Sequence, residues 1–353
     1  MPRLELHLGG PPETAVLAPI ALALSIALAL AACAPPPQGG VSAPLESHLA
    51  ADVAGHAEET FRADDGLTLY AQAWRPRDAA PRAALVIVHG LRDHSGRYAG
   101  LAQALTRRGF AVYAMDLRGH GRSQGPRAHI DRFEKYVDDV SLFVSRVRAL
   151  DPALPLFMLG HSMGGAIAAL FAERPRPLLA GLILSAPAID LGLDEVQACG
   201  INFLRDLDPN APALELDMTR WSRDENVVKE NLADPLVYQA PGTISTAAEL
   251  VEASALALTQ APFIHAPLLV LHGSADEITR PAGSRAFLSR ARSADKHLEI
   301  YEGLYHDLFH EPEHDRVITD VTRWLDERAP SPRDPWATDT ETGEEVSPDD
   351  SEP

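Results

Sequence analysis

A single serine flanked by Gly160, Gly164 and Gly165, in the stretch GHSMGG, constrains this chain more than any other feature. Glycine at this density weakens the interior of a strand or a helix. The flanks nevertheless read as one of each. LPLFMLG (Leu154–Gly160) is a short continuous apolar run bounded by glycine, which predicts a buried strand. GGAIAALFAE, which follows Met163, predicts a helix. Strand, sharp turn and helix make one unit, and Ser162 sits on its turn. The G-x-S-x-G spacing in that context is the nucleophile elbow: small neighbours permit a strained serine backbone, and the strain lifts Oγ above the sheet. The helix start near Met163 aims backbone amides and a positive dipole end at the same point.

The rest of the chain supplies a sheet around that unit. LTLYAQAW alternates with period two after the turn ADDG. AALVIVHG, AVYAMD, AGLILSAPA, APLLVLHG and HLEIYEG read as further strands, most of them apolar throughout, as burial on both faces requires. RYAGLAQALTRRGF and FEKYVDDVSLFVSRVRAL carry helical spacing between them. Alternation of this kind predicts a doubly wound, mostly parallel α/β sheet. Residues 190–262 break the rhythm with polar sequence and helix-like pieces such as AAELVEASALAL. A stretch that long between two sheet strands reads as an insertion, here a helical cap after the sixth strand that acts as a lid.

The ends differ in kind from the middle. AVLAPIALALSIALAL (Ala15–Leu30) is uncharged and apolar but short for a membrane span, and suits the h-region of a secretory signal. LAAC (Leu30–Cys33) looks like a bacterial lipobox, in which Cys33 becomes the lipidated first residue of the mature chain. The reading is therefore a signal peptide at 1–32, a flexible tether at 33–57, an enzyme domain at 58–328 and an acidic, solvated tail at 329–353. It places the protein in the cell envelope, anchored to a membrane through its N-terminal lipid, with the outer membrane favoured in a diderm cell. Only two cysteines exist, so lipidation of Cys33 leaves Cys199 alone, read as a small buried or half-buried residue. A net charge of −19 argues against nucleic acid as a partner.

A serine nucleophile needs a general base, and the base needs an orienting carboxylate. In this fold class they follow in the order Ser, acid, His. LHGSADEITRP places Asp276 in the turn after a buried strand, and IYEGLYHDLFHE places His306 after the last strand. Glu277 would point elsewhere, and Asp307 reads as a solvated loop acid. His306, His310 and His314 are spaced by four, but Pro312 interrupts that helix and no further ligands complete a metal site. No metal or organic cofactor is expected. The oxyanion donors would be the backbone N–H groups of Met163 and of Leu91, in the loop after LVIVHG. His89 in that loop reads as a satisfied buried histidine.

HGLRDHSGRY, DLRGHGRSQGPRAHI, GHSMGG, DPL (Asp234–Leu236), HGSADEITRP and GLYHDLFHE, in that order, together resemble the monoacylglycerol lipase family of serine α/β-hydrolases, a lysophospholipase-like and serine-aminopeptidase-like group. The resemblance spans residues 58–328. It implies Ser162, Asp276 and His306 as the triad, Leu91 and Met163 as oxyanion donors, and a helical cap. It also implies that Asp93, Arg97 and His161 lie near bound glycerol. Asp93 stands where the family often has glutamate, and Arg97 is read either as a glycerol contact or as an ion-pair partner within its loop. The expected activity is hydrolysis of a small lipid ester, monoacylglycerol to glycerol and fatty acid, through an acyl-enzyme. A lysophospholipase, a general carboxylesterase and a non-catalytic envelope binding protein on the same scaffold are the alternatives.

Overall fold

The computed structural model describes residues 55–174, 178–214 and 216–331. Cys33, the signal-like segment and almost all of the acidic tail lie outside them. β1 (His56–Arg62) and β2 (Thr68–Trp74) form an antiparallel hairpin. β3 (Ala83–Val88), α1 (Ala99–Thr106), β4 (Phe110–Met115), α2 (Glu134–Leu150), β5 (Leu156–His161), α3 (Met163–Ala172) and β6 (Gly181–Ser185) then alternate. The cap follows: α4 (Glu195–Leu207), the ribbon strand β7 (Pro212–Leu214), α5 (Glu225–Ala233), the ribbon strand β8 (Gly242–Thr243) and α6 (Ile244–Gln260). β9 (Leu268–Gly273), α7 (Pro281–Arg290), β10 (Lys296–Tyr301) and α8 (His314–Asp326) close the domain.

The main sheet has the order β1-β2-β4-β3-β5-β6-β9-β10, and every pair from β4 to β10 is parallel. Every residue of β3, β4, β5, β6 and β9 is buried, which is why those runs are apolar without alternation. Each fully buried Val, Leu or Ile there contributes about 1.5–3 kcal/mol. One core lies against α1 and α8, with Leu101, Leu105, Val317, Val321 and Leu325. The other lies against α2, α3, α6 and α7, with Val140, Phe143, Ile167, Leu250 and Phe287.

The register aligns the carboxyl ends of the strands. Val88 pairs with both Met115 and Gly160, His161 with Ser185, Ser185 with Leu271, and Gly273 with Tyr301. The loops after β3, β5, β9 and β10 therefore open on one edge of the sheet. The chain moves from β3 to β4 on one side and then to β5 on the other, the kind of switch point where α/β sheets form sites.

Two sequence expectations need correction here. β1 was not expected as a strand, and the tether read as ending at 57 overlaps its first two residues. Its sequence, HAEETFR, hides the strand because only Glu59 and Phe61 of an edge strand are buried. Cys199 is exposed rather than buried, because α4 buries none of its side chains; Val196, Phe203 and Leu207 on that helix also face outward. The cap is mainly helical, and the β7–β8 ribbon within it was not legible.

Candidate active site

Ser162 adopts φ 55° and ψ −122°, a conformation L-residues rarely occupy and one that costs on the order of 1–3 kcal/mol. The turn survives because backbones close in around it. The Ser162 amide donates to Ser185 O, and the Ser162 carbonyl accepts from Gly165 N and Ala188 N. Gly164 must be glycine: a Cβ there would lie 2.2 Å from Val88 O and 2.4 Å from His89 O. That close approach presses the start of α3 onto the end of β3. It also brings the next loop in, since a Cβ on Gly90 would sit 3.0 Å from Ser162 Cβ.

Ser162 Oγ lies 2.8 Å from His306 Nε2, and His306 Nδ1 lies 2.8 Å from Asp276 Oδ2. His306 is fully buried, and Ser162 and Asp276 nearly so. Asp276 Oδ1 accepts from the amides of Ile278 (2.8 Å) and Thr279 (3.0 Å), and Oδ2 accepts from Thr279 Oγ1 (3.0 Å). His272 Nε2 stands 3.1 Å from the same oxygen. Burial alone would raise the Asp276 carboxyl; the charge of His306 and the bonds from His272 and His306 outweigh it and hold the group well below the usual carboxylate range. The carboxylate stays ionised and its donors fix its plane. Met163 is the first residue of α3 and Leu91 follows β3. Among the described residues, neither amide donates a hydrogen bond. Met163 adjoins Ser162 in the chain and Leu91 follows Gly90, which packs on Ser162, so these two amides are the candidates to receive a developing oxyanion.

The other singled-out residues separate into two kinds. His161, at the end of β5, is fully buried with neither ring nitrogen bonded, and its ring centroid lies 4.8 Å from that of His306. Burial, reinforced by the nearby His306, lowers its pKa to about 4, so it is neutral at pH 7. A neutral imidazole with unspent nitrogens beside the reacting pair is suited to a substrate hydroxyl or water. Asp93 and Arg97, by contrast, are consumed by the protein. Asp93 Oδ1 accepts from His94 N (2.8 Å) and Arg97 Nη1 (3.2 Å), and Oδ2 from Tyr98 Oη (2.9 Å). Burial works against its charge, but Arg97 holds its pKa down at about 2. Arg97 Nη2 reaches Asp307 Oδ2 at 2.6 Å. Of the two readings of Arg97, the ion pair is the one the geometry displays.

Asp307 is the clearest correction. It is buried rather than solvated, held by Arg97, His310 and Trp221. Burial opposes its charge, and His310 and Arg97 keep it well below the ordinary carboxylate value. His310 is spent on Asp307 and on Arg97 O, and no metal-holding group of three ligands occurs among the described residues. His89 is fully buried and accepts from the Leu117 amide at 2.9 Å.

Several motif residues hold loops rather than face the site. Asp116 binds Ser95 N, Ser95 Oγ and Arg122 N, tying two loops together. Asp234 of DPL accepts from His94 Nε2 at 2.9 Å. The buried Arg92 side chain donates to Tyr238 O and Gln239 O, so the loop carrying Leu91 is stapled to the cap.

Sequence reasoning missed Trp221, which lies in the cap but reaches the site. It is 1% exposed, and its ring packs edge-on against His306 at 5.2 Å between centroids. Its Nε1 donates to Asp307 Oδ2 at 2.6 Å, and its carbonyl accepts from Asp307 N at 2.8 Å. Ser222 Oγ then donates to His310 O, and Arg223 donates from N and Nε to the buried Glu311. Residues 221–223 are thereby zipped to the loop that carries His306. A tryptophan in a polar stretch was the available signal, but nothing in the spacing assigned it to the site.

An elbow serine, a following acid and a final histidine joined on the carboxyl edge of a doubly wound sheet define a serine hydrolase of the α/β-hydrolase class. Residues 79–313 match the family model described as serine aminopeptidase, S33, and the chain belongs to that family. It is 37% identical over 271 residues to a monoacylglycerol lipase of Mycolicibacterium smegmatis, spanning 76% of this chain and 96% of that protein. It is 31% identical to phospholipase YtpA of Bacillus subtilis, over 72% of this chain and 99% of the relative. The crystal structure of Paleococcus ferrophilus monoacylglycerol lipase superposes with a TM-score of 0.66 at 30% identity, over 74% of this chain and 99% of that one. The chain is a serine ester hydrolase.

Proposed function

We propose that this enzyme cleaves monoacylglycerols to glycerol and fatty acid. The observation that carries the mechanism is the chain Ser162 Oγ–His306 Nε2 and His306 Nδ1–Asp276 Oδ2, with both links at 2.8 Å. Ser162 attacks the ester carbonyl as His306 takes its proton. The amides of Leu91 and Met163 receive the oxyanion. The ester C–O bond breaks, and His306 returns the proton to the departing glycerol oxygen. Water, activated by the same histidine, then releases the fatty acid from Ser162. Asp276 fixes the imidazole tautomer and stabilises the imidazolium. His161 faces the alcohol moiety, whereas Asp93 and Arg97 act through the loop they brace.

The names of the relatives support monoacylglycerol as substrate, and one named as a phospholipase keeps lysophospholipid as the second reading. The N-terminal sequence supports a further proposal: Cys33 is lipidated and tethers the enzyme to a membrane of the cell envelope. The substrate reading is tested by a panel of monoacylglycerols, triacylglycerols, lysophospholipids and short p-nitrophenyl esters, with Ser162→Ala run in parallel. Monoacylglycerols leading the panel, with the variant inactive, is the expected result. Lysophosphatidylcholine leading would replace the first reading with the second. Turnover of short esters alone would remove the lipase assignment.

A further inference from the structure

In acylation the Ser162 Oγ–carbon bond forms, the carbon–alcohol oxygen bond breaks, and the leaving oxygen takes its proton from His306 Nε2. The alcohol oxygen must then lie within hydrogen-bond reach of Nε2. Side chains packed around the His306 ring consequently bound the room left for the rest of the alcohol. Two other rings meet it: His161 at 4.8 Å and Trp221 at 5.2 Å, themselves 6.0 Å apart. The three form a closed cluster.

Trp221 is not free to yield to a larger ligand. Its N–H is bound to Asp307 Oδ2, its carbonyl to Asp307 N, and the Arg97 guanidinium carbon stands 5.8 Å from its ring centroid. Asp307 is in turn held by Arg97 and His310. The indole is a rigid wall, and His161, with two unspent nitrogens, is the polar corner next to it.

We propose that Trp221 is a specificity-determining residue that limits the alcohol side of the site to a group the size of glycerol and excludes glycerophosphocholine. The proposal rests on the ester-hydrolase mechanism above and assigns the size limit to one cap side chain. It separates the two substrate readings at a single position.

The test uses hexanoyl esters of methanol, glycerol and glycerophosphocholine with the full-length protein, Trp221→Leu and Trp221→Phe. All three esters give the same hexanoyl-enzyme, so deacylation is common to them and the ratios of kcat/KM report the alcohol alone. Trp221→Leu is expected to raise the glycerophosphocholine-to-glycerol ratio by about tenfold or more, the scale on which pocket shape discriminates. The methyl-to-glycerol ratio should move much less. Trp221→Phe, which keeps a ring but lacks the N–H, should stay near the wild-type ratio. A Trp221→Leu protein that reacts with a fluorophosphonate as completely as wild type, yet keeps the wild-type ratio, overturns the proposal. If that variant does not fold, Trp221→Met is read against the same criterion. Wild type inactive on all three esters would remove the mechanism as well; activity with ratios indifferent to position 221 would remove this proposal alone.

Discussion

Asp276 and His306 lie 30 positions apart in sequence, yet their side chains meet at 2.8 Å, and the proposed mechanism makes the rate depend on that bond. Ser162→Ala should lower kcat by at least about 10,000-fold on any ester, with the fold intact by circular dichroism. Asp276→Asn should lower kcat by about 10,000-fold, because the amide favours the wrong imidazole tautomer. Arg97 belongs to the same scale for a different reason. It pairs with two buried carboxylates, Asp93 and Asp307, so Arg97→Met leaves both without their guanidinium partner and should destabilise by about 3–5 kcal/mol at pH 7. Both carboxyls are held below their ordinary values in the folded protein, so their contribution is present above about pH 4 and is lost as pH falls through the folded values. In the variant those values rise, and protonation relieves part of the damage. Urea unfolding at pH 7 and at pH 4 should show the gap between wild type and variant narrowing at the lower pH; a gap that widens would mean Arg97 does not act through these charges. The meeting of Ser162, Asp276 and His306 was legible because chain order and turn position are sequence properties. Asp307 was misread because nothing local announces that a cap tryptophan and a distant arginine will cover it.

At the scale of elements, the β5–α3 elbow depends on backbones touching without side chains between them. Gly164→Ala would drive a methyl into the carbonyls of Val88 and His89. The expected cost is about 3 kcal/mol or more, with ester turnover lost in step because β3 carries the loop with Leu91. A denaturant midpoint unchanged from wild type would show that the strand ends are not in this contact. The apolar strands β3 to β6 and β9 could be read from composition because burial on both faces leaves no alternation to interpret. β1 could not, since an edge strand buries so little that its residues look like tether. The β7–β8 ribbon was likewise hidden, being two short segments that pair only because the cap folds back on itself.

At the scale of the whole molecule, the apolar run at 15–30 and Cys33 stand apart in composition from the residues of the candidate site. If Cys33 carries the lipid, Cys33→Ala should abolish incorporation of labelled palmitate and move the protein from the membrane to the soluble fraction. Its kcat/KM on a monomeric short ester should stay within about twofold of wild type, because every residue of the candidate site lies between His89 and Glu311. Equal labelling of the variant would remove the anchor and leave the enzyme reading untouched. The cap acts at this scale too. Its segment at 221–223 is bonded to the histidine loop, and the buried Arg92 ties the loop after β3 to Tyr238 and Gln239, so the cap is fastened to two loops at the carboxyl edge of the sheet.

The amino-acid sequence by itself determined the doubly wound sheet, the elbow serine and the order of its partners, because apolar periodicity, glycine spacing and strand-end turns are local properties. Tertiary structure alone decided which polar residues face the reacting pair. His161 keeps its nitrogens unspent, Asp93 and Arg97 spend their charges on each other and on Asp307, and Trp221 comes in from the cap. Those outcomes depend on which side chains, distant in sequence, share one buried volume and neutralise one another there.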